Sequence, residues 1–249
     1  MPDKWTAKDM PDQTGRVAIV TGANVGLGYE SALALARKGA QVVVASRDQA
    51  KAQKAVNTLK EQVPGAKIEF IRLDLASLAA VHEFASSFKE RYGRLDLLLN
   101  NAGVMGIPRR ETADGFEMQL GTNHLGHFAL TGLLLDLLLK TEGSRVVNTT
   151  SGAHVYGRFH FDDPQLRQNY GRWKAYGQSK FANVLFTFEL QRRLEAEGYQ
   201  TISVSAHPGG ARTNLQAVST HASGNLVERV VFGGFNNLVQ VCEKGSRDS

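Results

Sequence analysis

The chain has a single cysteine, Cys242, and only six prolines among 249 residues. One cysteine cannot close an intramolecular disulfide, so a disulfide-stapled secreted scaffold is excluded and a cytoplasmic location is expected. Long apolar runs are missing as well. The richest stretch, Leu130 to Leu139, is interrupted by Thr131, Gly132 and Asp136 and stops at Lys140. It falls well short of the roughly 18–20 apolar residues of a membrane helix. Met1 to Gly15 is polar, so neither a secretory signal nor a membrane span is expected. The net charge of +5 comes from 29 Lys+Arg against 24 Asp+Glu. Those charges are scattered, as at Arg91/Arg94, Arg109/Arg110 and Arg192/Arg193, with no basic stripe and no interleaved aromatics. A solvated surface accounts for them, and nucleic-acid binding is not expected. No repeat or low-complexity linker divides the chain, so residues 1–249 are expected to form one domain.

What is present is an alternation. Short apolar or β-branched runs at Val17–Val20, Gln41–Ala45, Lys67–Leu73, Leu95–Asn100, Arg145–Thr150 and Thr201–Ala206 predict strands. Their nearly continuous apolar character suits a parallel sheet covered on both faces. Helical patterns lie between them. Leu27–Lys38 stops at Gly39, Asp48 can cap a helix running to about Gln62, and Ser77 can cap another ending near Tyr92. Longer patterns span about Asp114 to Lys140 and Arg172 to Glu197. Strand and helix in strict alternation predict an α/β, doubly wound, Rossmann-type parallel sheet with functional loops at the carboxyl ends of the strands.

The first strand runs directly into Thr21-Gly22-Ala23-Asn24-Val25-Gly26-Leu27-Gly28 and then a helix. Glycines in such a loop permit a tight turn at Gly22, close approach of a pyrophosphate at Gly26 and close helix packing at Gly28. Unpaired N–H groups at the helix start favour phosphate. The spacing, Gly-x3-Gly-x-Gly, resembles that of the short-chain dehydrogenase/reductase family, and the resemblance runs from Arg16 to about Leu215.

That resemblance implies further roles. Asp74, with Leu75 beside it, matches the aspartate that meets the adenine. Asn100-Asn101-Ala102-Gly103 matches the family's Asn-Asn-Ala-Gly signature, with Asn101 and Gly103 toward the cofactor. Pro208-Gly209 matches the Pro-Gly that borders the nicotinamide, and Asn24 and Leu27 join the cofactor loop. The residue that meets the adenosine ribose is Ser46, followed by Arg47. A carboxylate there would repel a 2′-phosphate, whereas a small residue followed by Arg can receive it, so NADP(H) is expected over NAD(H). Asp48 is the competing ribose ligand and is read as a helix cap. Val25 fills the family's other common basic position.

Tyr176 and Lys180 lie four residues apart, on one helical face. The resemblance makes Tyr176 the acid/base, with Lys180 lowering its pKa and holding the nicotinamide ribose. Ser151 aligns with the serine that hydrogen-bonds the substrate oxygen, although Thr149 and Thr150 are neighbouring hydroxyls. Asn123 matches the asparagine that positions a relay water. His124 and His127 are three apart without a third ligand and are expected to be packing residues, not metal ligands. A serine hydrolase is poorly supported, since Gly177-Gln178-Ser179-Lys180-Phe181 lacks the second glycine of a nucleophile elbow.

The segments Asn123–Phe128 and Tyr176–Phe186 resemble the retinol dehydrogenase and WW-domain oxidoreductase branch. An oxidoreductase acting on an alcohol/carbonyl pair is therefore expected. Its substrate would be apolar, received by loops at Met105–Arg110, Ala153–Tyr170 and Gly210–Gly224, with Tyr156, Phe159 and Phe161 in the wall. Pairing of two copies through the long helices is a family habit. Only 41 residues follow Pro208, so residues 209–249 are expected to form a short or truncated substrate-covering segment that lacks the last edge strand. The alternative is a catalytically weak dinucleotide-binding protein of the same fold.

Overall fold

The computed structural model describes residues 6–207 and 209. The first strand, β1 (Val17–Thr21), is buried along its whole length. Its side chains alternate between two apolar layers, as a strand's period of two requires. Val17 and Ile19 face Phe84, Phe88, Leu130, Leu134, Leu138 and Leu190. Ala18 and Val20 face Ala32, Leu35, Val56 and Leu59. This two-sided burial is why β1 reads as one continuous apolar run.

The other strands are β2 (Gln41–Ser46), β3 (Ile68–Arg72), β4 (Leu97–Asn100), β5 (Arg145–Thr149) and β6 (Ile202–Ala206). They form one sheet in the order β3-β2-β1-β4-β5-β6, and every neighbouring pair is parallel. Helices α1 (Gly26–Arg37) and α2 (Gln49–Gln62) cover one face, while α3 (Leu78–Arg91), α5 (Gly126–Lys140) and α6 (Arg172–Ala196) cover the other. The order reverses at β1, between β2 and β4, and a crevice opens there at the carboxyl ends of the strands.

The caps fall where expected. The Asp48 side chain accepts from Lys51 N at 3.0 Å, the Ser77 hydroxyl accepts from Ala80 N at 3.3 Å, and Gly39 turns the chain after α1 at φ +87°. Strand β4 starts later than its apolar run because the buried Asp96 carboxylate, held by Arg94, takes Val17 N at 2.9 Å.

The helix expected from Asp114 differs most. Residues 112–116 form a tight turn in which the Thr112 hydroxyl accepts from Asp114 N and Phe116 N. Helix begins only at α4 (Met118–Leu120), capped by the Glu117 carboxylate, and passes through a π-helical turn at Gly121–Leu125 before α5. Pro208 and residues 210–249, on which the last-strand expectation rests, lie outside the described residues.

Candidate active site

A cleft of about 450 Å³ occupies the crevice between the ends of β1 and β4. Its floor is built from glycine. Gly22 and Gly26 take φ of +68° and +60°, a region that disfavours side chains. A Cβ on Gly22 would stand 3.0 Å from the Ala102 backbone, and one on Gly28 would stand 2.5 Å from the Asn101 amide nitrogen. Gly28 therefore makes room for Asn101 as well as for the strand. Helix α1 starts at Gly26 with no side-chain cap, so its first N–H groups are left for a ligand. Asn24 and Leu27 line the same floor.

At one end of the cleft, Ser46 ends β2 and Arg47 follows it, and Asp74 and Leu75 lie just past β3. The Asp74 carboxylate accepts from Ala76 N at 3.0 Å. Asp48 is the cap of α2, as read, and its second oxygen pairs with the Lys51 ammonium at 3.1 Å. That pairing brings Lys51 to the cleft as a second cation beside Arg47. Sequence reasoning missed it; its place on the first turn of α2, four residues past Arg47, was the available signal.

At the other end, Asn101, Gly103, Ser151, Tyr176, Lys180 and Gly209 come together. Tyr176 is buried, and burial pushes its phenol up from the usual range, while a hydrogen bond with the Ser151 side chain acts downward. Lys180 is buried as well; its Nζ donates to the Thr149 carbonyl at 3.0 Å and lies 5.8 Å from the centre of the Tyr176 ring. Burial brings this ammonium down to about 8. At Tyr176 desolvation thus dominates, and Ser151 supplies a lowering contact. Thr149 and Thr150 also line the cleft, but the hydroxyl bonded to the phenol belongs to Ser151.

Asn123 belongs to the π-helical turn that precedes α5. It is fully buried behind the cleft wall, not on it. Its Nδ2 donates to Val104 O at 2.9 Å and to Ser179 Oγ at 3.0 Å, and its Oδ1 accepts from Val104 N at 2.7 Å. The side chain holds the loop after β4 against α6; both of its N–H donors are used, and Oδ1 keeps one acceptor site.

The expected substrate loop Gly210–Gly224 lies outside the described residues. Phe161 is 80% exposed, Tyr156 is exposed too, and neither lines the cleft, where Val104, Met105 and Met118 supply the apolar surface. His124 meets Asn183 Oδ1 at 3.1 Å and packs on Phe128 and Phe186. His127 is buried between Thr21 and the Asn123 carbonyl. Among the described residues no group of three or more His, Cys, Asp or Glu could hold a metal, and no helix is long and apolar enough to cross a membrane.

Comparison with known proteins gives the lineage. Residues 16–223 match the family described as short chain dehydrogenase. The chain is 48% identical over 203 residues to human retinol dehydrogenase 13, covering 81% of this chain and 60% of that relative. It is 44% identical over 210 residues to human polyprenol dehydrogenase, covering 82% and 63%. The chain thus spans about three fifths of the length of these relatives. Among solved structures, an uncharacterised protein from Mycobacterium paratuberculosis superposes with a TM-score of 0.76 at 46% identity, covering 88% of this chain and 76% of that one. A short chain dehydrogenase from Shigella flexneri complexed with NADP gives 0.68 at 28% identity, covering 87% and 85%. One from Burkholderia phymatum in complex with NAD gives 0.69 at 27% identity, covering 85% and 71%. A glycine-floored cleft at the switch point, with Tyr176, Lys180 and Ser151 gathered at one end, agrees with these matches: the chain belongs to the short-chain dehydrogenase family, in its retinol dehydrogenase-like branch.

Proposed function

We propose that the chain is an NADP(H)-dependent oxidoreductase that interconverts an alcohol and a carbonyl, with Tyr176 as the acid/base. The observation that carries this reading is the gathering of Tyr176, Ser151 and Lys180 in the same cleft as the glycine loop and the Ser46–Arg47 pair. The cleft suits a dinucleotide: the glycine floor has no room for Cβ atoms, and uncapped N–H groups and two cations suit phosphate. Gly22, Gly26 and the α1 start would hold the pyrophosphate, Asp74 the adenine, Arg47 and Lys51 a 2′-phosphate, and Lys180 and Asn101 the nicotinamide side. A bound nicotinamide dinucleotide supplies or accepts the hydride.

The protein's own residues manage the proton. Burial keeps the Tyr176 phenol protonated at neutral pH, ready to donate to a carbonyl oxygen as it gains negative charge. Ser151, already hydrogen-bonded to that phenol, would hold the same oxygen and stabilise the phenolate that remains. Lys180, protonated below about 8, contributes positive charge beside the ring in a dry site. In alcohol oxidation the same groups work in reverse.

An apolar alcohol or carbonyl is the substrate class we favour. Val104, Met105 and Met118 support it, as do relatives that carry retinol and polyprenol in their names. Exposed Phe128, Leu185 and Phe188 on α5 and α6 support pairing of two copies through those helices. The test is turnover of NADPH or NADP⁺ with a panel of apolar aldehydes, ketones and alcohols, beside Tyr176→Phe. Turnover that the substitution abolishes supports the enzyme; dinucleotide binding without turnover across the panel contradicts it and favours a binding protein.

A further inference from the structure

We propose that His127 is a positioning residue of the cleft: a neutral imidazole, protonated on Nδ1, that ties the π-turn to the end of β1 and so fixes the Asn101–Ala102 turn beneath the dinucleotide. The inference rests on reading the cleft as a dinucleotide site. His127 is fully buried and plays no part in the proton chemistry above, yet both ring nitrogens have partners, Nδ1 at 3.0 Å from Asn123 O and Nε2 at 2.9 Å from Thr21 Oγ1.

The hydrogen-bond inventory admits one consistent arrangement. The Asn123 carbonyl can only accept, so Nδ1 carries the proton and Nε2 presents its lone pair. Thr21 Oγ1 has one proton and two acceptor sites. Asn101 N and Ala102 N each donate to it at 2.9 Å, filling both acceptor sites. Its proton then goes to Nε2, the nearer of two acceptors, the other being Leu99 O at 3.2 Å. Placing the imidazole proton on Nε2 would aim a donor at an oxygen with no acceptor site left and set a bare Nδ1 against a carbonyl.

The consequence reaches the ligand floor directly. Asn101 and Ala102 line the cleft, Asn101 Nδ2 donates to Thr21 O at 2.8 Å, and Ala102 stands where a Cβ on Gly22 would touch it. Thr21 therefore holds the turn after β4 against the glycine loop, and His127 fixes the direction in which the Thr21 hydroxyl points. The Asn123 carbonyl it grips lies in the π-turn, so the same ring also fixes the segment that holds Val104.

The experiment compares wild type, His127→Gln and His127→Leu by fluorescence titration with NADPH, with melting temperatures recorded alongside. Glutamine can offer Thr21 an oxygen near the Nε2 position, whereas leucine fills space without an acceptor. The expected result is affinity within about threefold of wild type for Gln and a loss of about tenfold or more for Leu, the effect of one buried hydrogen bond. Equal affinity for Leu and wild type, or a Gln variant no better than Leu, overturns the inference while leaving the cleft reading intact. A wild type that binds neither NADPH nor NADH overturns the cleft reading and the positioning role with it. Imidazole ¹⁵N shifts of the unliganded wild type give a readout independent of both folding variants and ligand. A neutral Nδ1–H ring from pH 6 to 8 supports the assignment; an Nε2–H tautomer overturns it.

Discussion

The Lys180 ammonium donates to the Thr149 carbonyl at 3.0 Å while lying over the Tyr176 ring, and burial brings it down to about 8. Catalysis that uses this positive charge should be at its full level below pH 8 and decline as pH rises through it, since deprotonation removes the charge. Single-turnover rates of carbonyl reduction from pH 6 to 9.5 check this. A profile flat to pH 9.5 would show that the Lys180 charge is not needed.

Arg47 and Lys51 stand at the same end of the cleft, where β2 ends in Ser46 and not in a carboxylate, and Lys51 is paired with Asp48. Arg47→Ala and Lys51→Ala should each weaken NADPH by about tenfold or more, the scale of a charge-assisted hydrogen bond, and NADH by much less. Equal losses for the two dinucleotides would remove the basis for preferring NADP(H).

Gly28 has no room for a methyl group. Gly28→Ala would set its Cβ 2.5 Å from Asn101 Nδ2 and 2.7 Å from Gly22 O, and the second contact is with backbone that cannot swing away. The expected cost is about 1–3 kcal/mol, the range for overpacking, with dinucleotide affinity lost in parallel. Chemical denaturation and the NADPH titration read the two effects. Wild-type values in both would mean that the glycine loop adjusts freely.

His127 makes stability depend on pH. Burial depresses its pKa from 6.5 to about 4, so between those values the unfolded chain binds the extra proton. Stability should therefore fall as pH drops from 6.5 to 4, by about 3 kcal/mol in all from this group, at 1.36 kcal/mol per pKa unit. His127→Gln should flatten that window relative to wild type in urea unfolding at pH 4.5 and 7.

Much of this arrangement was legible in the residues. The six strands, the glycine loop and the caps at Asp48 and Ser77 are governed by local chemistry, so their order along the chain carried the fold. Contacts between distant segments were not legible. Thr21 and His127 are 106 residues apart and meet only because β4 lies beside β1. The π-turn at Gly121–Leu125 was read as part of one continuous helix, because no residue type marks an i→i+5 turn as Gly or Pro marks a helix end. The turn at 112–116 carries helix-compatible residues, and only the Thr112 hydroxyl and Gly115 at φ +81° reveal it. The weight of burial at Tyr176 and Lys180 was not legible either, because spacing says that two groups share a face and nothing about how far burial shifts each one.

In the function proposed above, Tyr176 moves the proton in hydride transfer to or from NADP(H). Its most direct test is the split between binding and turnover in Tyr176→Phe, which keeps the ring and removes only the hydroxyl. The expected result is NADPH affinity within about threefold of wild type and a kcat lower by about 10²-fold or more, the scale of lost general acid/base catalysis. A phenylalanine variant that turns over an alcohol or carbonyl at the wild-type rate would contradict it.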